Sequence, residues 1–388
     1  MPFLIRSEKW LWRICAAFFI AVCLLHFFSQ RPLWLDENFV FGHIRQAGYR
    51  ILFDVPLDHS QAFPRVYLLV IKFFAQQFSL HLLALRFMPL VCMGGAFFVW
   101  KKIYRASAAT AHDALLCAAA FVSSYQMGRY ASELKQYSMD VLVVGLFCLY
   151  LLSFKGNSIR KPTRAFTLIT LALPFSLFFS YAGFFIFWVV AYNLAREARK
   201  NHSFGGLCIG YAGVSLLLSA WIFYFDIRHT LAVSSLFSYW DDYFLCVNSA
   251  ACFFKSFGEG MRRLGVWWFG NSKFFVRAAT FVLPFFLFSL LGHGFVLLKK
   301  ERFMVVRVET IGVVLFLELF VCGVFKKFPF TGERVTLYFA PFVFFYIVQG
   351  FGFLRRNRVI YNALIGCFCL FLLLCAGNTV VSFLGLYR

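Results

Sequence analysis

Long, unbroken apolar runs recur along the whole of this chain, and short clusters of Lys and Arg stand between them. A helix on the surface of a soluble domain keeps one polar face, so runs of this length do not suit one. A membrane-spanning helix needs about 20 mainly apolar residues. The composition agrees: of 388 residues, 61% are hydrophobic and 14% charged, with a mean hydropathy of +0.75. Soluble domains run at roughly 45–50% and about 25%. A soluble enzyme, a disordered chain and a fibrous chain are thereby excluded. Because the runs are continuous rather than alternating, they predict helices and not the strands of a barrel. The expectation is one all-α integral membrane domain over residues 1–388, with about eleven transmembrane helices of ~20 residues each.

The net charge of +21 would point to nucleic acid on a soluble domain. Here the cations sit between apolar runs, where they orient helices and meet anionic lipid. Membrane lipid is the expected partner and nucleic acid is not. Of the 12 cysteines, only Cys246 and Cys252 lie in a polar stretch. They form a disulfide if that stretch faces an oxidising compartment, and stay free thiols otherwise.

Arg6, Lys9 and Arg13 precede an apolar run to Phe28, and no small-residue cleavage site follows. This predicts an uncleaved first helix that starts in the cytoplasm. If the later basic clusters at 101–105, 155–164, 196–200, 299–307 and 355–358 are also cytoplasmic, an even number of spans separates each pair. That parity removes Pro64–Leu80 as a span. Lys72, Gln76 and Ser79 give it a polar stripe, so it is expected to lie at the interface as an amphipathic juxtamembrane helix. Residues 165–195 must then fold as two short helices turning near Ser180–Tyr181. The outer loops fall at about 30–82, 128–136, 226–273 and 326–335.

Most of the 17 Asp and Glu residues map to those outer loops or to the helix ends beside them. Carboxylates gathered on one side suit proton abstraction or cation binding, although loops are also simply polar. Asp36–Glu37 follows directly on the first span, behind Trp34, whose expected place is the headgroup level. Adjacent carboxylates raise one another's pKa, which suits a base; such pairs also open many helices. The turn from Arg129 to Tyr137 packs Arg129, Glu133, Lys135, Tyr130 and Tyr137 together, and Asp140 stands one turn further on. Arg and Lys suit a phosphate, while snorkelling cations and interfacial tyrosines are the structural alternative. Arg334, after Pro329–Phe330–Thr331–Gly332–Glu333, either faces a phosphate or pairs with Glu333. No P-loop, HExxH or dinucleotide-binding glycine motif is present in the sequence.

In these segments the chain resembles the bacterial membrane glycosyltransferases of the protein-mannosyltransferase and aminoarabinose-transferase type, glycosyltransferase family 39-like, with the GT-C fold. Leu33–Trp34–Leu35–Asp36–Glu37 matches that family's acidic pair after the first helix. Asp54 to Pro64 with Tyr67 matches its first loop, with Phe63–Pro64 in place of paired prolines. Arg86 matches the Arg that opens the second span. Tyr130–Asp140 and Pro329–Arg334, with Tyr338 and Pro341, resemble two later motifs.

The resemblance implies transfer of one sugar from a polyprenyl-phosphate carrier to a glycan, lipid or protein acceptor. The reaction is expected at the outer face of a bacterial inner membrane. Asp36 would be the base, supported by Glu37. Arg129, Lys135 and Arg334 would hold the donor phosphate, with Tyr137 and Asp58 in the substrate site. Glu133 and Asp36 would be the ligands if a divalent cation, Mg or Mn, takes part. Trp240, Trp267 and Trp268 would cover the acceptor or anchor the loop at the interface. Two other functions use the same residues without the reaction: a transporter or flippase for an anionic lipid-linked glycan, and a non-catalytic scaffold of this fold.

Overall fold

A computed structural model describes residues 2–29, 31–46, 48–49, 57, 62–154, 162–231, 233, 238–270, 273–299, 307–330 and 334–385. Asp54, Asp58 and Glu333 lie outside the described residues. Within them the chain is helical, with no strand. The order is α1 (Pro2–Phe28), α2 (Leu35–Gln46), α3 (Arg65–Gln77), α4 (Leu82–Ser107), α5 (Ala111–Ser123), α6 (Tyr125–Tyr130), α7 (Tyr137–Leu152) and α8 (Arg164–Ala172). It continues with α9 (Phe187–Lys200), α10 (Gly205–Ile222), α11 (Ala250–Val266), α12 (Leu283–Lys299), α13 (Val308–Val324), α14 (Ala340–Gly352) and α15 (Arg358–Gly385).

Helical segments stand wherever the sequence predicts a span. Six of them are long and apolar enough to cross a membrane: Glu8–Phe28, Leu82–Ser107, His202–Thr230, Ala279–Val296, Arg334–Gly352 and Arg358–Ser382. Others are apolar but shorter, such as Ala111–Ser123. At 1.5 Å per residue a 13-residue helix covers about 20 Å of a ~30 Å hydrocarbon layer. The chain is thus an all-α membrane protein, with six helices of spanning length among the described residues beside the about eleven spans expected. Large apolar side chains face outward on the long helices, among them Ile209, Leu216, Leu291, Val359 and Leu373. Exposed apolar surface on this scale is what lipid covers.

The centre of the bundle is the packing of α4 on α7 and the burial of α14. A Cβ at Gly145 would stand 2.9 Å from Trp100 Nε1, so the indole packs against the α7 backbone only because residue 145 has no side chain. Trp100 donates to the Val141 carbonyl there at 3.1 Å. The Arg334–Gly352 segment is 83% buried, against 22% for Arg358–Ser382, so the first is the axis and the second the rim. Helices α1 and α4 run antiparallel and define two ends. At one end Lys101 and Arg105 lie over the Trp12 ring. At the other, Arg86 donates to the Arg31 carbonyl at 2.6 Å.

Helix α3 forms where the amphipathic helix is expected, but its cations do not face water. Lys72 is 2% exposed and donates to the Ile44 carbonyl on α2 at 2.7 Å. Arg65 is buried against Asp226 at 2.7 Å. Gln76 is exposed, as is Ser79, which lies beyond the helix at φ 53°. The cations turn inward because a carboxylate and a carbonyl await them inside the protein, and an unpaired buried charge is costly. Asp226 also accepts from Tyr181 Oη and, at 3.3 Å, from the Phe63 amide. One carboxylate therefore ties α3 to the segment after α10.

The predicted break near Ser180–Tyr181 is present: Ser180 is extended between two 3-10 turns, Leu173–Phe178 and Tyr181–Phe185. Ser180 Oγ donates to Asp140 at 2.6 Å. In the 226–273 loop, Cys246 and Cys252 are disulfide-bonded, with Cys252 in the first turn of α11. Phe330 N donates to the Tyr243 carbonyl at 2.9 Å and Leu245 N to the Gly323 carbonyl at 3.2 Å. These bonds pin the disulfide-bearing segment to the turn that leads to Arg334.

Candidate functional site

The end of the bundle that carries Arg31 and Arg86 also carries most of the residues singled out in the sequence. Asp36 and Glu37 occupy the first turn of α2, where the helix dipole favours carboxylates. Glu37 sits at the third helical position and accepts from the Trp34 amide at 3.2 Å, half of a capping box. The same carboxylate takes Arg31 at 3.2 Å and the Leu134 amide at 2.7 Å. Glu37 is fully buried. Its bonds fix the 131–136 turn against the start of α2, so its geometry is that of a positioning residue.

Asp36, one residue earlier, is part-exposed and pairs with Arg334 at 2.7 Å. Arg334 opens the 3-10 turn Arg334–Phe339, which runs into α14. Its guanidinium lies 4.6 Å from the Trp34 ring centroid and 6.0 Å from that of Trp240. Trp34 thus faces Arg334. A cation over an indole face is attracted by the ring quadrupole.

Glu133 and Lys135 lie on the buried turn between α6 and α7. Arg129 Nε stands 3.9 Å from Glu133 Oε2 and its guanidinium 5.8 Å from the Tyr130 ring. Tyr137 packs edge-on against Tyr130 at 5.3 Å. Neither carboxylate oxygen of Glu133 is hydrogen-bonded. Burial, and then the Glu37 charge, raise its pKa to about 7. Burial lowers the Lys135 ammonium to about 8, against the attraction of Asp36 and Glu133. Near neutral pH both groups are therefore close to their titration points, where proton exchange is easiest.

The structure brings together Asp36, Glu37, Arg129, Glu133, Lys135, Tyr137 and Arg334. Asp58 falls outside the described residues. Asp140, which could have shared this cavity, is instead bonded to Ser180. Trp268 is sealed in the core, with its indole donating to the Leu264 carbonyl at 2.6 Å, and so covers no acceptor. Trp267 packs on Tyr130 at 6.2 Å. Arg31 was missed as a member of the site. Its signal was present, a cation six residues before Glu37, but it reads equally as a flank of the first span.

Four cations, Arg31, Arg129, Lys135 and Arg334, face three carboxylates here, so the site suits an anion with at least one negative charge. It does not suit a metal cage. Among the described residues no three His, Cys, Asp or Glu side chains are grouped to hold a metal ion. Asp36 is engaged by Arg334, and Glu37 by Arg31 and two amides. Glu133 alone of the three has neither oxygen hydrogen-bonded, so a Mg ion here would draw its other ligands from substrate phosphate and water. No protein-family model, curated protein or solved structure matches this chain. The functional reading therefore rests on this geometry.

Proposed function

We propose that the chain is a GT-C-like membrane glycosyltransferase. It moves a single sugar from a polyprenyl-phosphate carrier to a glycan, lipid or protein acceptor at the outer face of a bacterial inner membrane. The observation that supports this best is the meeting of Asp36 with Arg129, Lys135 and Arg334, drawn from three distant segments, at one end of a lipid-exposed bundle.

The chemistry follows from charge. An acceptor hydroxyl attacks the anomeric carbon, and its proton passes to Asp36. The bond from that carbon to the phosphate oxygen breaks, and the phosphate leaves with the electron pair. Positive side chains held in place stabilise that developing charge. With no substrate, Asp36 is occupied by Arg334. A donor phosphate competes for the same guanidinium and frees the carboxylate when it arrives. The reaction is so coupled to donor binding. The Cys246–Cys252 disulfide, pinned beside the Arg334 turn, supports an oxidising compartment on this side, with the N-terminus in the cytoplasm.

The closed Asp36–Arg334 pair also favours a second reading, a flippase for an anionic lipid-linked glycan in which the pair is a gate. Asp36→Asn separates the two. Envelope glycolipids and glycoproteins of a deletion strain, complemented with either version, are compared by mass spectrometry. A single sugar restored by the wild type but reduced at least ~100-fold with Asn, the scale of general-base loss, supports transfer. Equal restoration by both versions removes Asp36 as the base and overturns the enzyme reading.

A further inference from the structure

At the end of the bundle away from the candidate site, α1 and α4 enclose a groove of about 250 Å³ lined by Glu8, Lys9, Trp12, Arg13, Lys101 and Arg105. Trp12 is 4% exposed and forms the floor. Lys101 Nζ stands 5.2 Å and the Arg105 guanidinium 6.0 Å from its ring centroid. Lys101 and Arg105 thus share the Trp12 ring, while Arg13 on the facing helix lies 5.1 Å from the Trp10 ring centroid.

Among the described residues their charge is answered by no ion pair. Elsewhere Arg355 pairs with Asp113, Lys200 with Glu197 and Arg263 with Glu259. Among the described residues none of Lys9, Arg13, Lys101 and Arg105 is in an ion pair. The one carboxylate in the groove, Glu8, accepts from the Trp12 indole at 3.2 Å. Four cations against one carboxylate leave about three positive charges in a shared space, where like charges repel.

The surface continuing from the groove toward the middle of the bundle is apolar. One turn further along α4 from Lys101 lies Phe98, 47% exposed; along α1 from Arg13, Ala17 is exposed and Ile20 is 42% exposed. Residues three, four and seven apart share a helix face. A charged groove at the end of two spans therefore opens onto an apolar track.

We propose that this groove binds the headgroup of a membrane lipid carrying two negative charges on phosphate, with its acyl chains along Ala17, Ile20 and Phe98. Two phosphates cancel most of the excess charge, whereas a single phosphodiester leaves about two charges unanswered. The apolar track selects a lipid over a free phosphate. The site is independent of the reaction at the other end of the bundle and needs none of its residues.

The test uses the purified full chain, delipidated in detergent. Diphosphatidylglycerol, phosphatidylglycerol and phosphatidylcholine are offered in mixed micelles, and inorganic pyrophosphate in solution. Bound ligand is read by native mass spectrometry and the midpoint of thermal unfolding. Diphosphatidylglycerol is expected to bind tightest and to raise the midpoint. Each cation near a membrane surface is worth about fivefold in affinity, so Lys101→Gln/Arg105→Gln should weaken it about 25-fold. Lys9→Gln/Arg13→Gln, on the opposite wall, should do the same, and Arg199→Gln/Lys200→Gln should not. Equal binding of all three lipids, wild-type affinity in both groove variants, or equal loss in the Arg199/Lys200 variant overturns the site. Saturation by pyrophosphate at the concentrations that suffice for the lipid overturns the lipid assignment.

Discussion

A buried carboxyl with neither oxygen hydrogen-bonded, as at Glu133, is more stable protonated than charged. Its pKa rises from 4.5 to about 7 on folding, and the sign of the linkage follows. Below 4.5 the group is protonated in both states and costs nothing. As pH climbs through about 7 the folded protein must ionise it, and stability is lost. Glu133→Gln keeps the shape without the charge. Its unfolding free energy should match the wild type at pH 4.5 and exceed it at pH 8, by up to ~3 kcal/mol. Denaturant unfolding in detergent at the two pH values measures this. Lys135 acts in the opposite sense: with its pKa lowered to about 8, it destabilises the fold while charged, and relief comes as pH rises above about 8.

Among the elements, α3 is tied to the segment after α10 by a single buried carboxylate. Asp226 takes Arg65, Tyr181 and the Phe63 amide together. Asp226→Ala removes the carboxylate that answers the buried Arg65 charge, which should cost about 3–5 kcal/mol. Arg65→Met combined with Asp226→Leu should recover most of that. Thermal unfolding of the three proteins decides it, and a double variant no better than the single one refutes the assignment. The existence of α3 was legible in Pro64 and the spacing of its apolar residues. The direction its cations take was not. Lys72 finds its partner 28 residues away and Arg65 finds one 161 residues away, and periodicity reports only which residues share a face. The turn at Ser180 could be read because 31 residues between two basic clusters leave room for nothing else. Other expected spans coincide with shorter apolar helices, because hydropathy does not reveal how much of a run is spent on breaks.

For the whole molecule, sidedness arithmetic assigned Asp36, Glu133, Lys135 and Arg334 to one end, and the structure places all four there. It did not pair Asp36 with Arg334, because a run of apolar residues carries no record of which helix end it will meet. Metal ligation by Glu133 and Asp36 was expected from residue type and the resemblance; in the structure Asp36 pairs with Arg334. The same arithmetic makes a topological prediction. Reporter fusions truncated after Lys102 or Lys200 should be active only with a cytoplasmic reporter, and one truncated after Asp242 only with a periplasmic reporter. Matching sides for the Lys200 and Asp242 fusions would refute the assignment of α10 as a single crossing.

Arg334 rests between Asp36 and the faces of Trp34 and Trp240. An indole's emission responds to the charge above its ring, so any anion that draws this guanidinium away alters the light the protein emits. Subtracting the spectrum of Trp34→Phe isolates that response from the rest of the nine tryptophans. Occupancy of the pocket can then be followed optically in the unlabelled protein, before the sugar or its acceptor has been named.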